Sequence, residues 1–261
     1  MLRRMGWIAS LGLLAALAAP ALADEKVDKI EKALIEAYGN VKSFTATMKI
    51  EAEMMGMKMT QDGNIESMRD GDKSKARIEM KGSMDMGGQK MDMTSSTISD
   101  GEFTYIVSEQ MGQKNAMKTK GEGRQSSDPK QIIAELKKQY DIKALDDQKV
   151  GDMDCHTLEC TMKGEAGNPG SPTKQIMNFC KKTGMMIKLV GSDKEGKPMM
   201  TITMSDIKLD AKVDPARFVF KAPEGVQVMD MTGGAAAGGA APAAGEKKPA
   251  EGEKKPESGK P

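Results

Sequence analysis

The sequence predicts a mainly β protein of the α+β class, built as one curved antiparallel sheet with two helices over its apolar face. Apolar residues alternate with charged ones over long stretches, which is the period of a half-buried strand. Three of these stretches fold back so that their apolar positions share one face, and two segments show the spacing of amphipathic helices. We therefore expect a concave apolar face and a charged convex face.

The two predicted helices lie before the first strand and near the middle of the chain. In residues 27–41, apolar side chains recur at intervals of three and four, with Lys and Glu between them. The second helix is predicted after Asp128, an N-cap residue followed by proline at the first helical position. Its apolar positions are Ile132, Ile133 and Leu136.

The stretch EMMGMKMT, residues 53–60, is predicted to form the tip of the first hairpin. Apolar residues occupy even positions up to Met54 and odd positions from Met57 onwards. A two-residue turn at Met55 and Gly56 sets Met54 opposite Met57, which brings both apolar sets to one face. Met55 is an unusual residue for such a turn.

The same alternation of apolar positions on either side of a turn predicts two further hairpins. One has a loop at residues 87–90 and the other has a turn at residues 193–196. Each gathers its apolar side chains on one face. The predicted pairs are Met86 with Met91, Met84 with Met93, Leu189 with Met200, Ile187 with Ile202, and Met185 with Met204.

Methionine dominates the apolar positions, with 25 methionines against five phenylalanines, three tyrosines and one tryptophan. This unbranched, polarisable side chain suits surfaces that adapt to variable apolar partners. We expect a cavity for flexible hydrocarbon, and the alternative is a filled core that is rich in methionine. The predicted lining is Met48, Ile50, Met54, Met57, Met59, Ile65, Met84, Met86, Met91, Met93, Ile187, Leu189, Met200 and Ile202.

Residues 1–23 are predicted to be a secretory signal peptide. Arg3 and Arg4 precede an apolar run over residues 7–19, and small residues lead to cleavage after Ala23. The run is shorter than the roughly 20 residues that cross a bilayer, which argues against a retained anchor. We expect an exported protein.

The last part of the chain, residues 232–261, contains no large apolar side chain and repeats GEKKP. It is predicted to be a disordered tail rich in Ala, Gly, Pro, Lys and Glu, which leaves one domain, residues 24–231. Removing the two signal arginines changes the formal net charge from +1 to about −1. Such a balance gives no attraction for nucleic acid, so we predict no nucleic-acid partner.

The residues give no sign of an enzyme. No nucleophile elbow, phosphate-binding loop or His-Glu-x-x-His motif occurs. The single histidine, His156, follows Cys155, and neighbours on a strand point to opposite faces, which disfavours both a zinc site and a cysteine–histidine nucleophile. We predict no catalytic residue, no metal and no cofactor.

Four segments of the chain resemble the periplasmic lipoprotein carriers, the LolA-like proteins, in their order and style. They are IEKALIEAYGNVKSFTATMKIE (30–51), GNIESMRDGDKSKARIEM (63–80), SDGEFTYIVSEQ (99–110) and DPARFVFKAPEGVQV (214–228). The resemblance implies a half-open antiparallel β-barrel of the LolA/LppX type with helices over its mouth. It further implies a periplasmic monomer that carries acylated lipoproteins or lipids towards the outer membrane, with inner- and outer-membrane partner proteins.

The resemblance assigns a role to Arg69. In that family, an arginine followed by proline, at the end of the strand after the first turn, holds the lid helix closed by hydrogen bonds. Arg69 matches this position, but Asp70 replaces the proline. Either Arg69 gates the cavity, or it pairs locally with an acid.

Three cysteines are an odd number for an exported protein. Two neighbouring strands joined by a Gly/Pro/Ser-rich loop set Cys155 against Cys180 in a symmetric hairpin and leave Cys160 unpaired. We predict a disulfide between Cys155 and Cys180, conditional on that register and on an oxidising compartment.

Two alternatives to a carrier stay open. The pairs Met57/Met59, Met84/Met86 and Met91/Met93 resemble Met-x-Met sequences, and soft thioethers select Cu(I), which is consistent with a periplasmic copper-binding protein. A lipid-binding or envelope-sensing protein of the same fold, without transport, is the other alternative.

Overall fold

The computed structural model describes residues 19–71, 73–120, 128–164 and 171–232. Most of the predicted signal peptide and tail lies outside these residues. Two helices are present, α1 (Ala19–Gly39) and α2 (Pro129–Gln139). The strands are β1 (Ser43–Met54), β2 (Met57–Asp70), β3 (Lys73–Met86), β4 (Gln89–Ser99), β5 (Phe103–Gln110), β6 (Gln113–Lys120), β7 (Tyr140–Ala144), β8 (Gln148–Val150), β9 (Met153–Met162), β10 (Lys174–Cys180), β11 (Met186–Ser192), β12 (Pro198–Leu209) and β13 (Val228–Asp230).

The strands form one open sheet in the order β13-β6-β5-β4-β3-β2-β1-β12-β11-β10-β9-β7, with β8 paired to β9. Every pairing is antiparallel except that of β13 with β6. The predicted fold class, a mainly β half-open barrel with two helices, is therefore confirmed. The first long strand lies in the middle of the sheet, because β12 returns to pair with β1.

The first hairpin has the predicted register. Met54 lies opposite Met57, and Ala52 lies opposite Met59. Met55 and Gly56 form the two-residue turn with φ of 53° and 80°. Positive φ at both positions is the signature of a type I′ turn, whose twist suits a hairpin.

The predicted pairs of the other two hairpins are wrong by two residues. Met84 lies opposite Met91 because Gly87 and Gly88, with φ of 67° and 98°, close the turn in two residues instead of four. Leu189 lies opposite Ile202. A shift of two residues keeps every side chain on its predicted face, since side chains along a strand alternate.

In the β11–β12 hairpin, the loop is longer than the sequence indicated. The Asp193 carboxylate accepts hydrogen bonds from the backbone N–H of Glu195 at 2.9 Å and of Lys197 at 2.8 Å. A register irregularity follows Gly191, and Ser192 faces Pro198. These two features move the centre of the hairpin and account for the shift.

Both predicted helices cover the sheet. The Asp128 carboxylate caps α2 by accepting from the Lys130 N–H at 2.9 Å, as the N-cap pattern predicted. The Lys137 ammonium of α2 joins the two helices by binding Asp28 of α1 at 3.0 Å and Glu31 of α1 at 2.5 Å. The hydrogen bond with Glu31 is the largest cause of the raised pKa of Lys137. Among the described residues, no helix is long and apolar enough to cross a membrane.

Helix α1 lies unusually close to the turn that precedes β11. Leu34 is fully buried in the shared core, and Tyr38 is 5% exposed. Gly184 in that turn has φ of 69°, and a Cβ built on it would lie 2.2 Å from the Leu34 carbonyl oxygen. Only glycine permits this approach of turn and helix backbone.

A short C-terminal segment is fastened to the outer face of the sheet. It begins with a 3-10 turn, Pro215–Phe218, and its Arg217 guanidinium binds Glu66 at 2.6 Å and Glu79 at 3.3 Å. The pKa of Glu79 is lowered chiefly by its hydrogen bond with Arg77. The segment ends as β13, which adds a parallel strand to the sheet edge.

Candidate functional site

An apolar cavity of about 300 Å³ lies between the sheet and α2. Its walls come from six strands of the sheet, from α2 and from the turn before β11. The lining residues are Met48, Ile50, Gln61, Ile65, Ile78, Met80, Ser95, Thr97, Ile132, Met185, Met186, Ile202 and Met204. A concave, mostly apolar site with a few polar groups is the usual form of a pocket for a small apolar ligand.

Four of the predicted lining residues border this cavity: Met48, Ile50, Ile65 and Ile202. Ile187 and Leu189 are instead buried in the core beneath the helices, with 1% and 8% exposure. The other predicted residues do not line the cavity. They are Met54, Met57, Met59, Met84, Met86, Met91, Met93 and Met200. Their role in holding a lipid stays a prediction.

Most of these outlying methionines share a sheet face with the cavity. Directly opposed residues lie on the same face, and the pairings run from Ile50 through Gln61 and Gly82 to Met93. We call this face the cavity face. The next row towards the hairpin turns is Ala52, Met59, Met84 and Met91, and the last is Met54, Met57, Met86 and Gln89. A half-exposed methionine surface therefore extends from the cavity to the turns.

Sequence reasoning missed several lining residues that carried a usable signal. Met80 and Ile78 have the same parity as Met84, so the alternation places them on the cavity face. The spacing of Ile132 predicts that it lies on the apolar face of α2, but it does not predict the cavity beneath it. No local pattern indicates that Met186 lines the cavity, because that depends on how the turn before β11 packs.

Arg69 contacts the C-terminus of α1, as the resemblance implied. Its guanidinium donates to the Gly39 carbonyl at 3.1 Å and to the Tyr38 carbonyl at 3.3 Å, and it lies 5.3 Å from the centre of the Tyr38 ring. A cation is favoured at this end of a helix, where carbonyl groups carry partial negative charge. Asp70 does not take Arg69 as a partner but binds Lys75 at 2.7 Å, which lowers the pKa of Asp70.

We expect Arg69→Leu to release bound acyl chains several-fold faster while the fold is retained. Leucine cannot bond the two carbonyls, so the last turn of α1 loses its anchor to β2. Arg69→Lys is the matched control for charge, since lysine keeps the cation without the two-pronged geometry. Release of a fluorescent acyl probe measures the effect, and hydrogen exchange of the last α1 turn locates it. Unchanged release in Arg69→Leu would exclude gating.

Cys155 and Cys180 lie directly opposite each other, in the predicted register. The Lys181 N–H donates to the Asp154 carbonyl at 2.9 Å beside them. This bond marks a non-hydrogen-bonded pair, the position at which facing side chains come closest. All three cysteines are free thiols in this structure, so the disulfide stays a prediction.

Peptide mapping under non-reducing conditions is expected to link Cys155 to Cys180 in protein folded in an oxidising compartment. Burial raises the pKa of the Cys160 thiol to about 12, and that of Cys155 to about 11. Since the thiolate is the reactive form, Cys160 should be alkylated at neutral pH only after unfolding. A link between Cys160 and Cys180 would contradict this pairing.

His156 has an acidic partner that the sequence did not reveal. Its Nδ1 lies 2.9 Å from Asp147, which also binds the Lys181 ammonium at 2.6 Å. The pKa of Asp147 is lowered, and its hydrogen bond with Lys181 is the largest cause. Cys155 is fully buried with a raised pKa, the reverse of an activated nucleophile. In the described part of the chain, no three His, Cys, Asp or Glu side chains form a metal-binding group.

Known proteins that are similar to this chain share its fold and not its sequence. No protein-family profile and no curated protein sequence matches the chain. An uncharacterised conserved protein from Thermus thermophilus is similar in structure, with 10% identity and a TM-score of 0.50 over 78% of this chain and 99% of that one. This likeness concerns the fold, an open and mainly antiparallel sheet with two helices.

Two further solved structures are similar to this chain at low TM-scores. A LolA superfamily protein from Nitrosomonas europaea has 10% identity and a TM-score of 0.32, over 74% of this chain and 97% of that one. The lipoprotein LppX from Mycobacterium tuberculosis has 10% identity and a TM-score of 0.39, over 73% and 98%. At these identities the likeness concerns the fold alone.

Proposed function

We propose that the protein is a periplasmic carrier that binds acyl chains of lipoproteins or lipids and transfers them towards the outer membrane. The observation that carries the proposal is the apolar cavity of about 300 Å³ beneath α2. Its size is at the lower end of ligand sites, so it accepts part of a hydrocarbon chain while α2 stays in place. The remainder of a larger cargo would lie along the methionine surface of the cavity face.

The helices above the cavity are held by ion pairs and hydrogen bonds at their surface, as a movable lid would be. Ile132 of α2 contributes to the lining, and Lys137 links α2 to α1 through exposed ion pairs. Arg69 in turn holds the end of α1 by two hydrogen bonds. Exposed ion pairs contribute only about 0–1 kcal/mol each, so such a roof can open without unfolding the sheet.

Lipids that copurify with the protein test the proposal. The protein is expressed with residues 1–23 and isolated after export, and its bound lipids are extracted and identified by mass spectrometry. We expect about one bound acyl-chain lipid or lipoprotein for each protein molecule. A variant with a charged side chain introduced into the cavity should retain less of it. An empty protein that also binds no fluorescent acyl probe would exclude the carrier function.

Cu(I) binding is the second candidate, favoured by the strand register. The Met-x-Met pairs become neighbours, with Met57 opposite Met86 and Met84 flanked by Met59 and Met91. Facing Cβ atoms are about 5 Å apart, so three thioethers on adjacent strands can reach one soft ion. Competition of the protein with a Cu(I) chelator measures affinity. Met59→Leu/Met84→Leu should abolish Cu(I) binding and spare acyl binding, because leucine keeps the volume and removes the donor atoms.

A further inference from the structure

Three hairpin turns repeat one six-residue pattern: an acidic residue, any residue, Met or Gly, Gly, any residue, and Lys. They are EMMGMK (53–58), DMGGQK (85–90) and EQMGQK (109–114), and we call them the tips. In each tip the third and fourth residues form a two-residue turn with positive φ. Alternate turns of an antiparallel meander lie at the same end, so the β1–β2, β3–β4 and β5–β6 tips share one end of the sheet.

Methionine at two of these turns has no structural explanation. Met55 and Met111 both have φ of 53°, in a turn type that prefers Asn, Asp or Gly. Their side chains are 84% and 78% exposed, so they contribute little to the core. Among the described residues, seven large apolar side chains are exposed, and four of them, Met54, Met55, Met86 and Met111, are at this end. An exposed apolar cluster of this kind marks an interaction surface.

The charges of the tips are balanced within each hairpin. Glu53 faces Lys58, Asp85 faces Lys90, and Glu109 faces Lys114. The Glu53 and Glu109 carboxylates lie 3.8 and 3.7 Å from their lysines. Each tip therefore offers both signs and no net charge. That arrangement matches a surface whose own groups carry both signs, such as zwitterionic lipid headgroups, and it gives no attraction to an anionic one.

The apolar side chains at this end continue into the cavity face. Met54, Met57 and Met86 form the row nearest the turns, and the next rows lead to Ile50 at the cavity. Methionine adapts to a fluid apolar phase because it is flexible and unbranched. A hydrocarbon chain leaving a bilayer at the tips would thus stay on apolar surface until it reached the cavity.

We propose that the tips dock on the interface of a zwitterionic lipid bilayer, with Met55 and Met111 inserted between the headgroups. The end of the cavity face that carries the tips then contacts the hydrocarbon layer of the bilayer. Docking itself requires no cargo, and only the path to the cavity rests on the carrier function proposed above.

The variant Met55→Asn/Met111→Asn tests docking without harming the fold. Asparagine suits left-handed turn positions, so thermal stability should be kept or raised, whereas a structural role of the methionines predicts a loss. In a flotation assay with phosphatidylcholine vesicles, we expect the cargo-free double variant to bind at least tenfold less than the wild type. Met229→Asn, which removes a methionine that is 59% exposed on β13, should float like the wild type.

Several outcomes would overturn docking: no wild-type binding to phosphatidylcholine, equal binding of the double variant, or binding only to vesicles that carry anionic lipid or a membrane protein. The acyl-probe assay separates this proposal from the carrier function. The double variant should bind the probe in solution like the wild type, because the turns are remote from the cavity. Wild-type protein that floats but binds no probe would exclude the carrier and leave docking supported.

Discussion

Replacing Gly184 by alanine is expected to lower the free energy of unfolding by roughly 3 kcal/mol, from a strained backbone and an overpacked contact together. The new Cβ would lie 2.2 Å from the Leu34 carbonyl oxygen and 2.9 Å from the Tyr38 nitrogen. Both atoms belong to helix backbone and cannot rotate away. Helix α1 would have to move from the sheet and expose part of the core around Leu34. Urea denaturation measures the loss.

Gly196 supplies the matched control for this substitution. It also has positive φ, 83°, but a Cβ on it would meet no atom within 4 Å. Gly196→Ala should therefore cost only the conformational strain, about 1 kcal/mol. Equal losses at the two positions would show that the approach of α1 to the turn is not tight.

Replacing Met80 by glutamate is expected to weaken acyl-chain binding about 100-fold at neutral pH, because burying a carboxylate among apolar side chains costs several kcal/mol. Met80 lines the cavity and is only 4% exposed. Its neighbour Lys81 is exposed and points to the opposite face, so Lys81→Glu should bind like the wild type. Titration with a fluorescent acyl probe compares the variants.

The pH dependence separates charge from lost packing. Burial raises the pKa of the introduced carboxyl above its ordinary value, because it disfavours the charged form. Acyl binding by Met80→Glu should recover as the pH falls through that raised pKa, where the side chain becomes neutral. Met80→Gln is similar in size and cannot ionise, so its affinity should not change with pH. Identical pH profiles for the two variants would exclude an acyl chain beside Met80.

The sequence predicted those features that depend on neighbours along the chain. Alternation identified the faces of the strands, the Asp128–Pro129 pair located α2, and the Met55–Gly56 turn gave the register of the first hairpin. Alternation repeats every two residues, so it could not distinguish the true register of Met84 from one shifted by two. The preference of Gly-Gly for two-residue turns does distinguish the two registers, since Gly87 and Gly88 close this hairpin.

The position of the cavity could not be read from the strands. The cavity face runs the length of β1 and β2, and only the placement of α2 decides which part of it is roofed. Met57 and Met80 have equivalent patterns in sequence, yet Met80 lies at the cavity and Met57 near the turn. The contact of Arg69 with the α1 carbonyls was implied by family resemblance, because no local pattern connects residues so far apart in the chain.

The pairing of β1 with β12 imposes an order on folding. Strands β1 to β6 can assemble as successive local hairpins, but β1 keeps one edge unpaired until β12, near the end of the domain, is available. Closing that long loop is entropically costly and slows folding. An unpaired strand edge invites pairing with other chains, and the charged side chains of Lys49 and Glu51 on β1 oppose such association. Nascent chains should therefore aggregate most readily when they stop short of β12.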